Sequence, residues 1–539
     1  MNKRNYIISL SMACLAIGAC KKSSFVDANI NPNTLYSVDP ADQFLAAAAG
    51  SQDDFEFFYD VLRAENLWMQ YATGAGGTQA GALNITGNFN GRYAKVFYGR
   101  TGTDLSDVPN MVSKLPASEQ PKRVNQVNIA AIFKAYYAFY VSDINGDIPY
   151  SQAFQARYGG TVTPKYDRQQ ALFDTLDTQI KKAVASLEST DASTQTAYGA
   201  KDPFFPAGLS AADEALAWTK IGNALRLKIA MRLMKRDPNK LKSIATEVLA
   251  DAKQMSDYTD SWVLYAGPSY ANSANQGNWN PTGFLASKPV VDFMKATGDP
   301  RLQMYYRPAI KSGTYIGAPT NPDSIAPNAN LFQHSDSLLS QLQHRMFTPD
   351  YDEGDGAGGG SGQAFFPFLT YAEYCFIRAE LGAKSITNDD PQAWYNKGVE
   401  ASIRFYDARA QAAKVTGYTP VSDQKISDYL TLSSAKFDAA KALDQIYCQA
   451  YLDFFRQPSE AWAWWKRTGY PNTTSVLAWE PTTLNGAALT LPRRAALNIL
   501  TPADLNYQNQ QDAFAAMKSD GNWGDNPGDF KGRVWWDMP

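Results

Sequence analysis

The sequence predicts a mainly α fold built from tetratricopeptide-like helix pairs with long irregular loops. Three observations carry that reading. Apolar residues recur three or four apart through Trp218, Ile221, Leu225, Ile229 and Leu233, while Arg226, Lys228, Arg232 and Lys235 take other positions, as on an amphipathic helix. A second stripe, Leu241, Ile244, Val248 and Ala252, follows the break at Asp237-Pro238, so Ala211 to Met255 reads as two antiparallel helices. The stretches between such pairs are rich in Gly, Asn, Ser, Pro and aromatics, and they are too long to be simple connectors.

The other elements follow in chain order. Pro40 opens an apolar helix through Phe44 and Ala48. Ile129, Ile132, Phe133, Tyr136 and Tyr140 stand at helical spacing within Val124 to Val141, which stops at the turn-rich run from Asp143 to Tyr150. Phe368 to Ala383 and Pro391 to Tyr406 form a further pair, in which Ala372, Cys375, Ala379 and Ala383 permit close approach of two helices. Asp438 to Phe455 and Ser459 to Arg467 read as helices, the latter with Trp462, Trp464 and Trp465. No strict 34-residue repeat runs through these pairs. Four stretches, Thr73 to Gly91, Tyr258 to Phe284, Arg307 to Gly362 and Thr468 to Asn498, are the long loops where binding residues are sought first.

Composition excludes several classes. In 539 residues, 50 Lys+Arg stand against 53 Asp+Glu, a formal net charge of -3, which argues against a basic nucleic-acid-binding surface. At 45% hydrophobic and 13% aromatic, the chain is neither disordered, collagen-like nor a disulfide scaffold. Length alone, at about 150 residues per domain, suggests three or four domains, a prior that one solenoid-like helical body overrides.

The N-terminus reads as an address. Lys3 and Arg4 precede an apolar stretch from Tyr6 to Ala19 that is too short to span a bilayer, and Ile17-Gly18-Ala19-Cys20 looks like a bacterial lipobox. Residues 1–19 are expected to be a lipoprotein signal peptide, Cys20 the lipidated residue carrying palmitate-type acyl chains, 20–33 a tether and 34–539 the binding domain. Several acyl chains on one residue give stable membrane attachment where one is marginal. Cleavage removes Lys3 and Arg4 and takes the formal charge from -3 to -5. Of the remaining cysteines, Cys375 and Cys448 read as buried free thiols. With no CxxC and only His334 and His344 as histidines, no zinc site and no cofactor are expected.

Motifs for chemistry are weak. Gly354-Asp355-Gly356-Ala357-Gly358-Gly359 matches GxGxxG, but no strand-like run precedes it, and a loop tip is the better account. Its acidic approach, Asp350, Asp352, Glu353 and Asp355, has Gly354 where an EF-hand loop needs a ligand. Asp143, Asn145 and Asp147 have calcium-like spacing, but Ile148 replaces the glycine and Phe154 the closing glutamate. GxSxG, Walker and HExxH patterns are missing, so the commonest hydrolase and nucleotide signatures fall away.

Taken in order, the residues resemble the SusD/RagB family of nutrient-binding outer-membrane lipoproteins, in particular its SusD-like subgroup. The likeness rests on Asn31-Pro32-Asn33, Gly146-Asp147-Ile148-Pro149-Tyr150, Trp218 to Leu227 with Ala230-Met231-Arg232, and Asp299-Pro300-Arg301-Leu302. It continues through Thr370-Tyr371-Ala372-Glu373, Ala379-Glu380, Tyr395 to Val399, Glu460-Ala461-Trp462, Arg467 to Pro471, Pro492-Arg493-Arg494 and Val534 to Asp537. It implies a single mostly helical body with four tetratricopeptide-like helix pairs supporting irregular loops. It also implies a non-catalytic role, capturing oligosaccharide, or in some members peptide, for a SusC-like TonB-dependent transporter in the cell outer membrane, with the lipid-anchored chain facing outside. Lys21-Lys22 depart from the acidic residues that surface-exported lipoproteins of the bacteria carrying this family often have after the cysteine. Glu373, Arg378 and Glu380 are expected to pair within the framework, and Trp535-Trp536 to pack a C-terminal segment.

Ligand contacts are sought among aromatic faces that stack on sugar rings, beside amides that fix hydroxyls. The candidates are Trp68, Tyr71, Tyr265, Tyr270 and Trp279, with Asn272, Asn275 and Asn280 close by, each equally a candidate core residue. The alternatives are a peptide-binding member of the same family, a lipid-anchored helical glycosidase whose carboxylate pair is invisible in sequence, and a scaffold that binds protein alone.

Overall fold

Asp39 accepts a hydrogen bond from the Ala41 amide at 2.8 Å, and Pro40 takes the first helical position, so the chain enters α1 (Pro40–Gly50) with an orphan donor satisfied. The computed structural model describes residues 38–51, 55–74, 91–266, 283–347, 364–432 and 435–539. The signal, Cys20, the tether, Tyr270, Trp279, the neighbouring Asn272, Asn275 and Asn280, and the glycine-rich run at 354–359 with its acidic approach lie outside the described residues.

After helical stretches at Phe55–Glu65 and Gly91–Thr101 come α2 (Gly102–Val112), α3 (Val124–Asn145), α4 (Gln169–Ser189), α5 (Ala211–Ala230), α6 (Pro238–Ala250) and α7 (Lys288–Thr297). The second half holds α8 (Tyr371–Ala383), α9 (Pro391–Ala412), α10 (Asp423–Thr431), α11 (Ala442–Asp453), α12 (Pro458–Thr468) and α13 (Tyr507–Lys518). Neighbours in sequence pack as α3 with α4, α5 with α6, α8 with α9 and α11 with α12, and α4 packs on α5 to join the first two pairs. The mainly α architecture of helix pairs is therefore present. Side-chain caps set the starts: Ser210 accepts from the Asp213 amide, Asp237 from Lys240, Thr370 from Glu373 and Asp390 from Gln392.

Close approach depends on a missing side chain in α5. A Cβ built on Gly222 would meet Val184 Cγ2 of α4 at 2.5 Å, so the glycine lets the two helix pairs touch.

The amphipathic pattern of α5 misleads in one respect. Three of the four cations named above do not face water: Arg226, Lys228 and the following Arg232 are 4%, 2% and 1% exposed, whereas Lys235 is exposed. The three are buried because each meets carboxylates delivered by neighbouring helices. Arg226 pairs with Asp177 of α4 at 2.7 Å. Lys228 lies 3.0 Å from Glu373 of α8 and 3.0 Å from Glu460 of α12, while Arg232 bonds Asp143 of α3 at 2.9 Å and Glu460 at 3.0 Å. One ionic cluster thus ties a helix from each of the four pairs to the others. Arg378 pairs with Asp389, and Glu380 takes Arg467 of α12 at 2.7 Å and the Tyr447 hydroxyl of α11 at 2.9 Å, so the expected framework pairing is present. Trp536 is buried and donates to the Asp143 carbonyl at 3.2 Å, fastening the C-terminal segment onto the same cluster. Asp143 and Asp147 are engaged in the frame, the latter capping α4 at the Gln169 amide at 2.8 Å. Cys375 and Cys448 are buried free thiols.

Strands occupy part of what reads as loop. β1 (Ala72–Gly74), β3 (Phe284–Ala286), β5 (Gln341–Leu342) and β4 (Tyr306–Arg307) form, in that order, a four-stranded antiparallel sheet. β2 (Trp262–Ala266) pairs with β6 (Ala364–Leu369), Tyr265 opposite Phe365 and Ala266 opposite Ala364. Phe368, read as the start of a helix, belongs to β6. The run from Ala364 to Leu369 is buried at every position, and Thr370 caps the helix only after it.

Candidate functional site

The helix pairs bring the flanks of three segments, 75–90, 267–282 and 348–363, onto two strand systems. Gly74 and Phe284 are register partners at one end of the four-stranded sheet, and Ala266 and Ala364 are partners at the end of the other ladder. Phe347 is the last described residue before 348–363.

One ring holds these flanks together. Phe455, in the turn Phe454–Arg456 that ends α11, stacks on Tyr305 with centroids 4.1 Å apart and planes 3° from parallel. The same ring meets Tyr71 at 5.9 Å, Tyr306 at 5.5 Å and Phe347 at 5.8 Å, edge to face. The next residue, Arg456, sets its guanidinium 4.1 Å from the Phe347 ring centre and 5.4 Å from that of Phe365, and donates to the Phe365 carbonyl at 3.0 Å. A single turn of the helical frame therefore fixes where β1, β4, β6 and the Phe347 end of the chain emerge.

The candidate rings fall in different environments. Trp68 is 1% exposed and packs against Trp462 at 5.1 Å, and Tyr71 is 0% exposed, stacks on Tyr451 at 4.4 Å and donates to the Tyr451 carbonyl. Both are buried and packed against other rings, so they are core side chains holding β1. Tyr265 is partly buried in β2, with the Arg409 guanidinium of α9 4.7 Å from its ring centre. The structure thus separates the five: two in the core, Tyr265 at the end of the β2–β6 ladder, and Tyr270 and Trp279 outside the described residues.

Sequence reasoning passed over the polar knot beside β1. Gln70, in the left-handed region at φ 51°, accepts from Thr320 Oγ1 at 2.8 Å and from the Glu480 amide at 3.2 Å, and donates to the Glu480 carbonyl at 3.0 Å. Glu480 shares the Thr320 hydroxyl proton with Gln70, its oxygen 2.9 Å from Thr320 Oγ1, and accepts from the Asn321 amide at 3.1 Å. Two of the four long loops are thereby clamped to the start of β1. A non-glycine residue at positive φ is the strained feature that such a clamp must hold. No residue spacing signals a contact between positions 410 apart.

Electrostatics at this end is muted. Burial, with the nearby Arg307, drives the His344 imidazole down to about 3, so it is neutral beside the Arg307 guanidinium 2.8 Å from its Nδ1. Burial pushes the Tyr265 phenol up against a smaller opposing pull from Arg409, leaving it a neutral hydrogen-bonding group. Among the described residues no cluster of three or more His, Cys, Asp or Glu is placed to hold a metal ion.

Comparison with known proteins agrees with this frame. A SusD-like family model, described as "Starch-binding associating with outer membrane", matches residues 37–496. No curated protein matches the sequence. Among solved structures, the chain is similar to a chitin-binding protein at 22% identity and TM-score 0.70, covering 93% of this chain and 100% of that one. A SusD homolog from Bacteroides fragilis has 20% identity and TM-score 0.68, covering 92% and 100%. A chitin-binding SusD homolog from Flavobacterium johnsoniae has 19% identity and TM-score 0.67, covering 93% and 98%. At these identities the solved structures show the shared fold.

Proposed function

Because the chain belongs to the SusD-like family of nutrient-binding outer-membrane proteins, which bind without catalysis, we propose that it captures an oligosaccharide and delivers it to a SusC-like TonB-dependent transporter. The observation that supports this best is the convergence on Phe455 and Arg456. A rigid helical frame holds the bases of three long segments together, one of them following the partly buried Tyr265 in sequence and containing Tyr270 and Trp279. Rings of that kind stack on the CH faces of sugars, and the amides of Asn272, Asn275 and Asn280 fix hydroxyls. The family description and two chitin-binding fold relatives favour a neutral glycan over a peptide.

In this reading residues 1–19 are the export signal, Cys20 carries the acyl chains, 20–33 is a tether and 34–539 is the binding body on the outer face of the membrane. Calorimetric titration of the purified chain with chito- and malto-oligosaccharides tests the ligand. Binding that weakens about tenfold in Tyr265→Ala, the loss of one stacking contact of about 1.4 kcal/mol, is expected. Peptide binding with no response to any saccharide would reverse the assignment. Cys20→Ala is expected to move the protein from the membrane to the soluble fraction, and the wild type to co-purify with a TonB-dependent barrel.

A further inference from the structure

A groove lies on a different part of the molecule, between α2, α3, α4 and the turn that follows Tyr150. It measures about 650 Å³ and shares the walls Ser106, Lys134, Tyr150 and Gln179 with a neighbouring hollow of about 320 Å³. Both are within the size range of small-molecule sites. No aspartate or glutamate lines either one, whereas Lys134 and the exposed Lys182 do.

Lys134 is the unusual member. It projects from α3, where it interrupts a run of buried apolar residues, and its ammonium rests 5.1 Å from the ring centres of both Tyr150 and Phe154. No carboxylate pairs with it among the described residues, and burial, the one cause acting, draws its pKa down to about 8. Carboxylates at the margin are already engaged. Asp107 takes Arg157 and the Tyr158 hydroxyl at 2.6 Å, and Asp167 takes the Tyr150 and Ser151 amides at 2.9 and 2.8 Å.

The wall opposite Lys134 is built at a cost in backbone strain. Phe154 sits at φ 63°, a conformation an aromatic residue rarely adopts and one that persists where the surroundings enforce it. Its ring is held by Tyr98 at 5.5 Å and Phe97 at 5.3 Å. Tyr158, 38% exposed and anchored through its hydroxyl to Asp107, offers a ring at the rim. Gln179 accepts from the Tyr150 hydroxyl at 2.7 Å, which turns its amide NH2 to other partners, and Asn110 spends its NH2 on the Ser106 carbonyl and keeps its oxygen. The groove therefore combines an ammonium without an anion, an exposed ring, and amide donors and acceptors.

We propose that this groove is a second saccharide site, selective for sugars bearing a carboxylate, with the uronate on Lys134, a sugar face on Tyr158 and hydroxyls on Gln179 and Asn110. It is separate from the Tyr265 end of the molecule and does not depend on the ligand bound there. The ammonium supplies a charge-assisted hydrogen bond, roughly twice as strong as a neutral one, that a neutral sugar cannot use.

The full-length chain in detergent is titrated with tetragalacturonate and with its carboxyl-reduced counterpart, which differs only in the acid groups. The acid form is expected to bind about tenfold more tightly, and Lys134→Gln to erase the difference. A measurement on the wild type guards against a misfolded variant: acetic anhydride labels Lys134 at neutral pH, and tetragalacturonate, but not the reduced form, protects it in peptide mass mapping. Equal affinity for the two oligomers, or labelling of Lys134 that tetragalacturonate leaves untouched, overturns the proposal. Binding of neutral glycan that responds to Tyr265→Ala reports the other end of the molecule and stands or falls separately.

Discussion

The ammonium of Lys228 lies 3.0 Å from a carboxylate oxygen of Glu373, with the two side chains 2% and 0% exposed. The same ammonium is 3.0 Å from Glu460, whose second cation is Arg232. Burial alone would raise the Glu460 carboxyl, but Arg232 and Lys228 outweigh it and hold it down to about 2. Removing the shared cation leaves the buried Glu373 carboxyl, which burial already lifts to about 8, without its partner, while Glu460 keeps Arg232. Lys228→Met is therefore expected to destabilise the fold by about 3–5 kcal/mol, the penalty for breaking a buried ion pair from one side. Urea unfolding gives the number, as a fall in midpoint at unchanged slope. A cost under about 1 kcal/mol, the range of exposed pairs, would mean that the cluster is wetter than its burial indicates.

Phe455 couples the helical frame to the strands that carry the long segments. Its ring is 1% exposed and touches Tyr71, Tyr305, Tyr306 and Phe347. Phe455→Ala opens a cavity at that junction and is expected to cost about 3–5 kcal/mol. Because the flanks of 75–90 and 348–363 lose a common wall, glycan affinity should fall even at temperatures where the variant stays folded. Phe455→Leu, which keeps most of the volume, should recover most of the stability and less of the affinity. Calorimetric titration and thermal melts on both variants separate the two effects.

The helix pairs were legible because burying one helix against another requires a 3.6-residue stripe, and the stripes of α5, α6, α8 and α9 are written plainly. The stripe of α4 is as regular, through Leu172, Leu176, Ile180 and Leu187, but it follows a long turn-rich run and was not singled out. Lys134 was visible only as an interruption in an apolar run, since a cation lodged between two rings and a cation reaching solvent leave the same mark on the sequence. Trp68 and Tyr71 lie in the core for a reason the sequence hides: a ring that packs on sugar and a ring that packs edge-on against Trp462 or face-on against Tyr451 have identical chemistry. The strands escaped notice because most span two or three residues, too few for alternation to register, and their partners lie far along the chain.

Gly398 of α9 faces the ring of Phe376 of α8, and a Cβ placed on it would stand 2.6 Å from Phe376 Cε1. An aromatic ring in a packed core has little room to yield. Gly398→Ala gains helix propensity but overpacks the α8–α9 contact, and the second effect is expected to win, for a net loss of about 1–3 kcal/mol. Gly417, at φ 69° with open space around its missing side chain, provides a contrast. Alanine there meets no neighbour, and any loss comes from backbone strain. Melting temperatures of the two variants distinguish packing from conformation.

Stability should also depend on pH through a pair of buried acids near α5. Burial lifts the Asp202 carboxyl from 3.8 to about 7, against smaller pulls from the Trp218 indole at 2.9 Å and the Phe204 amide at 3.0 Å. Burial, with Asp202 next, lifts Glu214 to about 8, against the amides of Tyr198 and Gly199. A carboxyl whose folded pKa is raised binds its proton more tightly in the native state than in the unfolded one. Stability from these groups is therefore largest at low pH and declines as pH rises from about 4 to about 8. His344, held down to about 3, acts in the opposite sense as pH rises from 3 to 6.5, so the wild-type profile alone does not isolate the acids. The difference between wild type and Asp202→Asn does. The amide keeps an oxygen to accept from Trp218 and carries no charge, so the variant should gain on the wild type steadily between pH 5 and pH 8 in urea midpoints. Parallel profiles across that range would show that Asp202 is solvated in the folded state and ionises normally there.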